Sequence, residues 1–301
     1  MKKYSFKNIE KCEMCGSEIK NHKILGQRLN RSQGLRPKKK IGISVSIVKC
    51  KDCNLIYSNP QPIPNDLQDH YGTPPEDYWN ESYFNWTSDY FSYVINEVKE
   101  LMVFEPGMKA LDVGAGLGKA MKSMAFSGFD SYGLEPSIPF YNRAVEKMGI
   151  SSDKLKLGAI EEINYDDNSF DFITFGAVFE HLYEPSLCLE KAMTWLKKGG
   201  VIQIEVPSSK WLLPKFMNFY FKIIGTNYVT NLSPMHSPFH LHEFDLKSFE
   251  ALSKKLNFTL VKSRVEVCSI YFFPKFLHPI LRWYMKKTNT GMQLTVYLKK
   301  N

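Results

Sequence analysis

Lys109-Ala110-Leu111-Asp112-Val113-Gly114-Ala115-Gly116-Leu117-Gly118 is the stretch on which the fold turns. Its first five residues read as a short buried strand, and the next five as a glycine turn. A helix follows, with Ala120, Met121, Met124 and Ala125 expected to face inward. Strand, glycine turn and helix in this order set backbone N–H groups beside a ligand at a helix N-terminus. A second strand, Ser131 to Leu134, ends at Glu135. An acid about 20 positions beyond such glycines can accept from both hydroxyls of a ribose.

The spacing narrows the ligand. A dinucleotide fingerprint is Gly-x-Gly-x-x-Gly, whose third glycine allows close helix packing around a pyrophosphate. Here the order is Gly114-x-Gly116-x-Gly118, with Asp112 two residues earlier. That different spacing suits a bulkier, phosphate-free adenosine cofactor such as S-adenosylmethionine. A Tyr-x-x-x-Lys at Tyr271–Lys275 contains Pro274 and lies outside the nucleotide half, so it does not read as a dehydrogenase pair.

Further elements alternate in the α/β manner. Strands are expected at Leu155–Ala159, Phe170–Phe175 and Gly200–Val206, joined by helices near Pro139–Met148 and Pro185–Leu196. A late pair, Phe258–Val267 and Met292–Lys299, flanks an aromatic insertion.

Upstream, four of six cysteines fall as Cys12-x-x-Cys15 and Cys50-x-x-Cys53. Two such pairs offer four thiolates, the closed tetrahedral set of a structural zinc site with no position left for substrate. Gly16 gives the first knuckle its turn, and Ile41, Ile43, Val45 and Ile47 alternate as a strand leading into the second. Disulfides would need an oxidising compartment, and neither pair sits between strand and helix as a redox motif does. Cys188 and Cys268 read as isolated apolar filler.

Charge is divided unevenly. Residues 1–53 hold 14 Lys+Arg against 4 Asp+Glu, a balance of +10, which leaves −2 for the remainder of a chain whose total is +8. Arg31, Arg36 and Lys38 to Lys40 could face phosphates of nucleic acid, nucleotide-sugar or lipid, or form a solvated loop. Apolar runs stay short of the roughly 18 residues of a spanning helix. The opening Met1-Lys2-Lys3 has no apolar core behind it, so a cytoplasmic location is expected.

Tyr57 to Tyr93 is dense in aromatics, and prolines at 60, 62, 64, 74 and 75 break its first half into turns. A helix is expected from Asp89 to Met102, with Phe91, Ile95, Val98 and Met102 on one stripe. The rings either cement the small module to the large one or form a lid, for which Tyr71 and Tyr78 are the candidates.

Four ordered motifs, Leu111–Gly118, Gly133-Leu134-Glu135-Pro136, Ser169–Ile173 and Phe179-Glu180-His181-Leu182, resemble those of class I S-adenosylmethionine-dependent methyltransferases. The resemblance covers about residues 108–301. It implies a Rossmann-like seven-stranded sheet in the order 3-2-1-4-5-7-6 with the last strand antiparallel. It also implies that Asp112, Gly114, Ala115, Gly116 and Gly118 hold the cofactor and that Glu135 with Pro136 takes the ribose. Gly158-Ala159-Ile160 would bracket the adenine, and Gly176 and Ala177 would wall the methyl end. The cysteine pairs and the Tyr71/Tyr78 segment resemble, more loosely, the zinc-bearing sugar C-methyltransferases, without a match to that group's longer C-terminal half.

The expected organisation is a zinc module at 1–58, an aromatic connector and lid at 59–107, and a methyltransferase domain at 108–301 with inserts near 208–241 and 268–290. His181 is the candidate base, with Glu180 beside it, although the pair could equally fix its loop. His240 and His242, from His236-Ser237-Pro238-Phe239-His240-Leu241-His242-Glu243-Phe244, are candidate acceptor residues. A metal held by these histidines and Glu243 is the weaker reading, since no helical His-x-x-x-His supports it. Asp245 reads as a helix cap with Ser248 in the first turn. The inserts could cover an apolar acceptor, lie on a membrane surface, or pack in a core or dimer contact. Methyl transfer to a small molecule leads, with a sugar or a lipid-linked, cell-envelope or secondary-metabolite intermediate as the candidate acceptor. An RNA or protein methyltransferase gripping its polymer by the basic module, and a non-catalytic adaptor, are the alternatives.

Overall fold

The computed structural model describes residues 4–30, 42–66, 68–71, 80–230, 232–270 and 273–301. In chain order it holds β1 (Tyr4–Lys7), β2 (His22–Leu29), β3 (Ser44–Cys50), β4 (Ile56–Asn59), β5 (Gln61–Pro64), α1 (Gln68–Tyr71) and α2 (Ser92–Leu101). Then come β6 (Lys109–Val113), α3 (Lys119–Phe126), β7 (Asp130–Glu135), α4 (Ile138–Glu146), β8 (Leu155–Leu157), β9 (Phe170–Gly176), α5 (Pro185–Trp195) and β10 (Leu196–Pro207). The chain closes with α6 (Leu212–Ile223), β11 (His242–Glu243), α7 (Leu246–Ser253), β12 (Phe258–Glu266), α8 (His278–Thr288) and β13 (Gln293–Lys300).

A seven-stranded sheet, ordered β8-β7-β6-β9-β10-β13-β12, forms the body. The first five strands are parallel, while β13 runs antiparallel to both β10 and β12. This is the expected order with its antiparallel last strand. Both faces are covered, so the central strands are buried and largely apolar: every residue of β9 from Phe170 to Phe175 is buried, Asp171 and Thr174 being its polar members. One face packs on α5 and α7 through Trp195, Leu189 and Phe249, and the other on α2 and α3 through Ile95, Val98 and Met124.

Several boundaries differ from expectation for local reasons. Phe91 has φ of 61°, so α2 starts at Ser92 rather than Asp89. Strand β8 stops at Leu157, because Gly158 at φ +155° turns the chain, and Ala159 lies in the turn. In α3 the buried residues are Met121, Ser123 and Met124, while Ala125 is exposed. Strand β10 begins at Leu196 and shifts register before Val201.

The N-terminal strands form a second sheet, β11-β4-β3-β2, completed by a strand from far along the chain. His242 pairs with Tyr57 and Glu243 with Ile56. Val45 and Ile47 are buried on β3, whereas Ile43 precedes the strand and is exposed. Ile41 and the basic residues Arg31, Arg36 and Lys38 to Lys40 lie outside the described residues. Cys12, Met14, Cys50, Cys53 and Leu55 share one apolar core with Phe179, Phe244 and Phe249. Ser248 Oγ donates to Cys53 O at 2.9 Å and also accepts from Asp245 N, closing the capping box of α7.

Candidate functional site

A cavity of about 510 Å³ opens at the carboxyl ends of β6, β7, β9 and β10, where α/β sheets place ligands. Its floor is the glycine turn. Gly114, Gly116 and Gly118 all have positive φ (+74°, +55° and +74°), the left-handed region that glycine enters without strain. A Cβ on Gly118 would press Ile150, whereas one on Gly116 meets nothing within 4 Å. Gly116 is therefore the point where backbone lies bare to the cavity.

Glu135 ends β7 with its carboxylate turned back on this floor. Oε2 accepts from Gly116 N at 2.6 Å and Oε1 from Ser137 N at 2.7 Å. Each oxygen keeps further acceptor capacity for a ribose hydroxyl. Burial pushes Glu135 up to about 7 against the pull of the two N–H groups, and burial with the Glu135 charge raises Asp112 to about 7 as well. Ala115 and Pro136 line the same cavity. Ala159 and Ile160 line a narrower hollow beside it, which shares Gly114, Pro136, Val178 and His181 with the main cavity.

Opposite the floor, β9 ends at Gly176, and Ala177 and Val178 lead into a single 3₁₀ turn, Phe179–His181. Phe179 anchors this turn in the core against Phe175 and Phe244, which aims its neighbours at the cavity. Glu180 is 2% exposed, and burial followed by the Glu205 charge pushes it up to about 8, its own backbone N–H opposing. His181 Nδ1 donates to Phe239 O at 3.2 Å, so Nε2 of the neutral ring carries the lone pair. Burial holds His181 down to about 4 and His240 to about 3. The two rings meet edge-on at 5.0 Å, and Glu180 Oε1 lies 3.9 Å from His181 Nε2 and 3.8 Å from His240 Nε2.

The loop Ser237–His240 folds over the cavity as a wall. His242, one strand residue further on, is 1% exposed in β11 between Tyr57 and Phe244, and it does not line the cavity. In extended chain His240 and His242 would share a face, but the chain enters β11 between them, which takes His242 into the module's sheet. Tyr71 ends α1, and Tyr78 lies outside the described residues.

Residues unforeseen from sequence complete the lining. His70 stacks on Phe239 at 4.2 Å and bonds Tyr183 Oη through Nδ1 at 2.9 Å; burial holds it down to about 4. Tyr83 and Tyr90 of the aromatic segment, and Trp211, Met292 and Gln293 beside the two inserts, also face the cavity. Only the Tyr residues carried a signal, the local aromatic density.

Away from the cavity, the four N-terminal sulfurs lie within 4.8 Å of one another. Cys12 Sγ is 3.5 Å from Cys53 Sγ, and Cys15 Sγ 3.6 Å from Cys50 Sγ, with no disulfide between them. A tetrahedral zinc with Zn–S of about 2.3 Å requires sulfurs about 3.8 Å apart, so the quartet fits that ion with little adjustment. The hydrogen bond from Cys12 Sγ–H holds the Cys53 thiol below its usual range. Cys188 is buried, and Cys268 donates to Gln293 Oε1 at 2.9 Å. Among the described residues no helix is long and apolar enough to cross a membrane.

Among curated proteins, the ubiquinone biosynthesis O-methyltransferase of Acinetobacter baylyi is 29% identical over 132 residues, which is 42% of this chain and 53% of that protein. Phosphoethanolamine N-methyltransferase 1 of Arabidopsis thaliana is 33% identical over 113 residues, 36% of this chain and 23% of that protein. The chain thus spans about half the length, or less, of these relatives. A solved S-adenosylmethionine-dependent methyltransferase of Archaeoglobus fulgidus superposes with a TM-score of 0.49 at 15% identity, over 75% of this chain and 100% of that one. The profile of a methyltransferase domain family matches residues 86–263, more than half of the chain and all of the sheet's parallel strands. The chain belongs to the methyltransferase domain family, and its fold is that of the class I S-adenosylmethionine-dependent enzymes.

Proposed function

We propose that this protein transfers a methyl group from S-adenosylmethionine to a small molecule bearing a hydroxyl or an acidic carbon. One observation carries the reading: the glycine floor with Glu135 and the wall of Glu180, His181 and His240 face each other across a single cavity. The relatives named above, an O-methyltransferase of ubiquinone biosynthesis and a phosphoethanolamine N-methyltransferase, support a small-molecule acceptor.

When bound, the cofactor supplies an activated methyl on a positive sulfur. The protein's own work is to align and deprotonate. Gly116 leaves the backbone bare where the cofactor lies, and Glu135 binds its ribose. Ala159 and Ile160 bound the adenine side, and Gly176 with Ala177 bound the methyl end. Alignment of a nucleophile with the methyl contributes most of the rate. His181 Nε2, its ring fixed by the Phe239 carbonyl, takes the acceptor proton. His240, on the cavity wall, holds the acceptor.

A second reading of the wall rests on the three converging acceptor atoms. Glu180 Oε1 faces two histidine Nε2 atoms without a hydrogen bond, and Glu180 Oε2 has no partner among the described residues. A divalent cation would satisfy all three and bind an acceptor oxygenate in place of a base. Activity that survives exhaustive chelation keeps the base reading; activity lost and restored by one metal favours the cation.

Residues 1–58 are read as a structural zinc module and 59–107 as connector and lid. The deciding experiment is incubation with labelled S-adenosylmethionine and a fractionated lysate. Label is expected in low-molecular-weight compounds. Label confined to RNA or protein would overturn the small-molecule reading.

A further inference from the structure

The two inserts carry an unusual charge pattern. Residues 208–241 contain three lysines and residues 268–290 three lysines and one arginine, and neither stretch has a single Asp or Glu. In the fold they come together. Leu213 of α6 and Met285 of α8 share one buried cluster with Ile270, and Phe216 of α6 meets Phe273 ahead of α8 at 5.9 Å.

Their outer faces are apolar. On α6, Phe216 (44%), Phe219 (64%) and Ile223 (68%) are exposed, spaced as one helical stripe. On α8 the stripe is Ile280 (64%), Trp283 (61%) and Tyr284 (46%), with Phe276 (75%) just before it. A surface helix ordinarily hides such a face. Here α8 hides one residue, Met285, and presents the apolar stripe outward. Exposed Lys222 on α6 and Lys275, Lys286 and Lys287 around α8 flank the stripes.

We propose that the α6–α8 face docks on an anionic lipid bilayer. Aromatic and aliphatic side chains would enter the boundary between headgroups and chains while the flanking lysines meet lipid phosphates. The all-positive rim selects this occupant. Two copies of the face would bring like charges together, whereas an anionic surface complements them. The docking geometry also bears on access, because Trp211, which opens α6, and Met292, which follows α8, both line the cavity. The lipid surface would then lie at the cavity rim. Docking itself stands independently of the acceptor's identity.

The test is flotation of the full chain with phosphatidylcholine vesicles, alone or with about 30% phosphatidylglycerol, at low and high salt. The chain is expected to float with the anionic vesicles, with at least about tenfold less bound to neutral ones, and less at high salt. Ile280→Glu with Trp283→Glu should lower binding about tenfold or more, and Lys286→Gln with Lys287→Gln should lower it on anionic vesicles. Unchanged S-adenosylmethionine affinity in both double variants separates lost docking from lost folding. No flotation with anionic vesicles, or equal flotation of the variants, overturns the proposal. A dimer in sedimentation velocity that the Glu variants abolish, without vesicle binding, would assign the face to self-association and also overturn it.

Discussion

Replacing Gly114 and Gly116 separately by alanine should break two different things, although the residues are two apart on one turn. Both have positive φ, so each alanine costs about 1–2 kcal/mol of backbone strain. At Gly114 the new Cβ would also overlap Val178 Cγ2 and sit 3.0 Å from its Cβ. Forcing a methyl into such packing costs about 1–3 kcal/mol more. The total, about 2–5 kcal/mol, corresponds to a fall in Tm of about 3–8 °C for a chain of this size. Gly116→Ala pays only the strain, so its Tm should fall by about 2–3 °C. Its methyl, however, projects into open cavity where the cofactor is to lie. S-adenosylmethionine affinity should therefore drop about tenfold or more, since one badly placed methyl costs at least about 1.4 kcal/mol. Differential scanning fluorimetry and titration calorimetry on both variants make the comparison. If Gly116→Ala binds the cofactor like the wild type, the turn does not contact the ligand. If Gly114→Ala melts with the wild type, the packing argument fails.

Three further outcomes are expected. Glu135 is raised from 4.5 to about 7 in the free protein, and the ribose needs its ionised form; cofactor affinity should be level above pH 7 and weaken by up to about tenfold per unit below it. The same shift makes this group's contribution to the free protein's stability largest below about pH 4.5 and progressively lost toward pH 7, so a Kd that is flat between pH 8 and 6 would refute the assignment. Replacing His181 by Gln should lower kcat about 10²–10⁴-fold in single-turnover assays while cofactor affinity stays within about twofold, and an unchanged rate removes His181 as base. Elemental analysis should find one zinc per chain, and Cys53→Ser should lower Tm by about 10 °C or more, because Cys53 lies in the core that joins the module to α7; a metal-free chain of full stability would refute this.

What could be read from sequence was what contiguous residues carry. The glycine floor, Glu135 and the Glu180-His181 turn each sit directly after a strand, so recognising the strand places the site residue. The aromatic-rich strand Phe170–Phe175 and the paired cysteines are similarly local. What could not be read depends on chain segments meeting across long separations. His70 reaches the cavity only because Phe239 and Tyr183 hold its ring. Trp211 and Gln293 face the cavity because α6 begins and β13 starts beside it, which no periodicity announces. Two residues are too few to show an alternation, so periodicity does not reveal β11 and leaves His242 grouped with His240. Ala125 was misplaced for a different reason: alanine fits either face of a helix, and Ser123 took the buried position.

The late strand in the early sheet has a consequence for how the chain is made. Strands β2, β3 and β4 and all four cysteines leave the ribosome before residue 60, but their sheet waits for His242 and Glu243. Roughly 180 residues must be synthesised in between, which takes about 10–40 s at about 5–20 residues per second. During that interval β4 shows an open edge able to recruit the wrong strand. Early capture of metal by the quartet would hold the nascent sheet in register until its own last strand arrives.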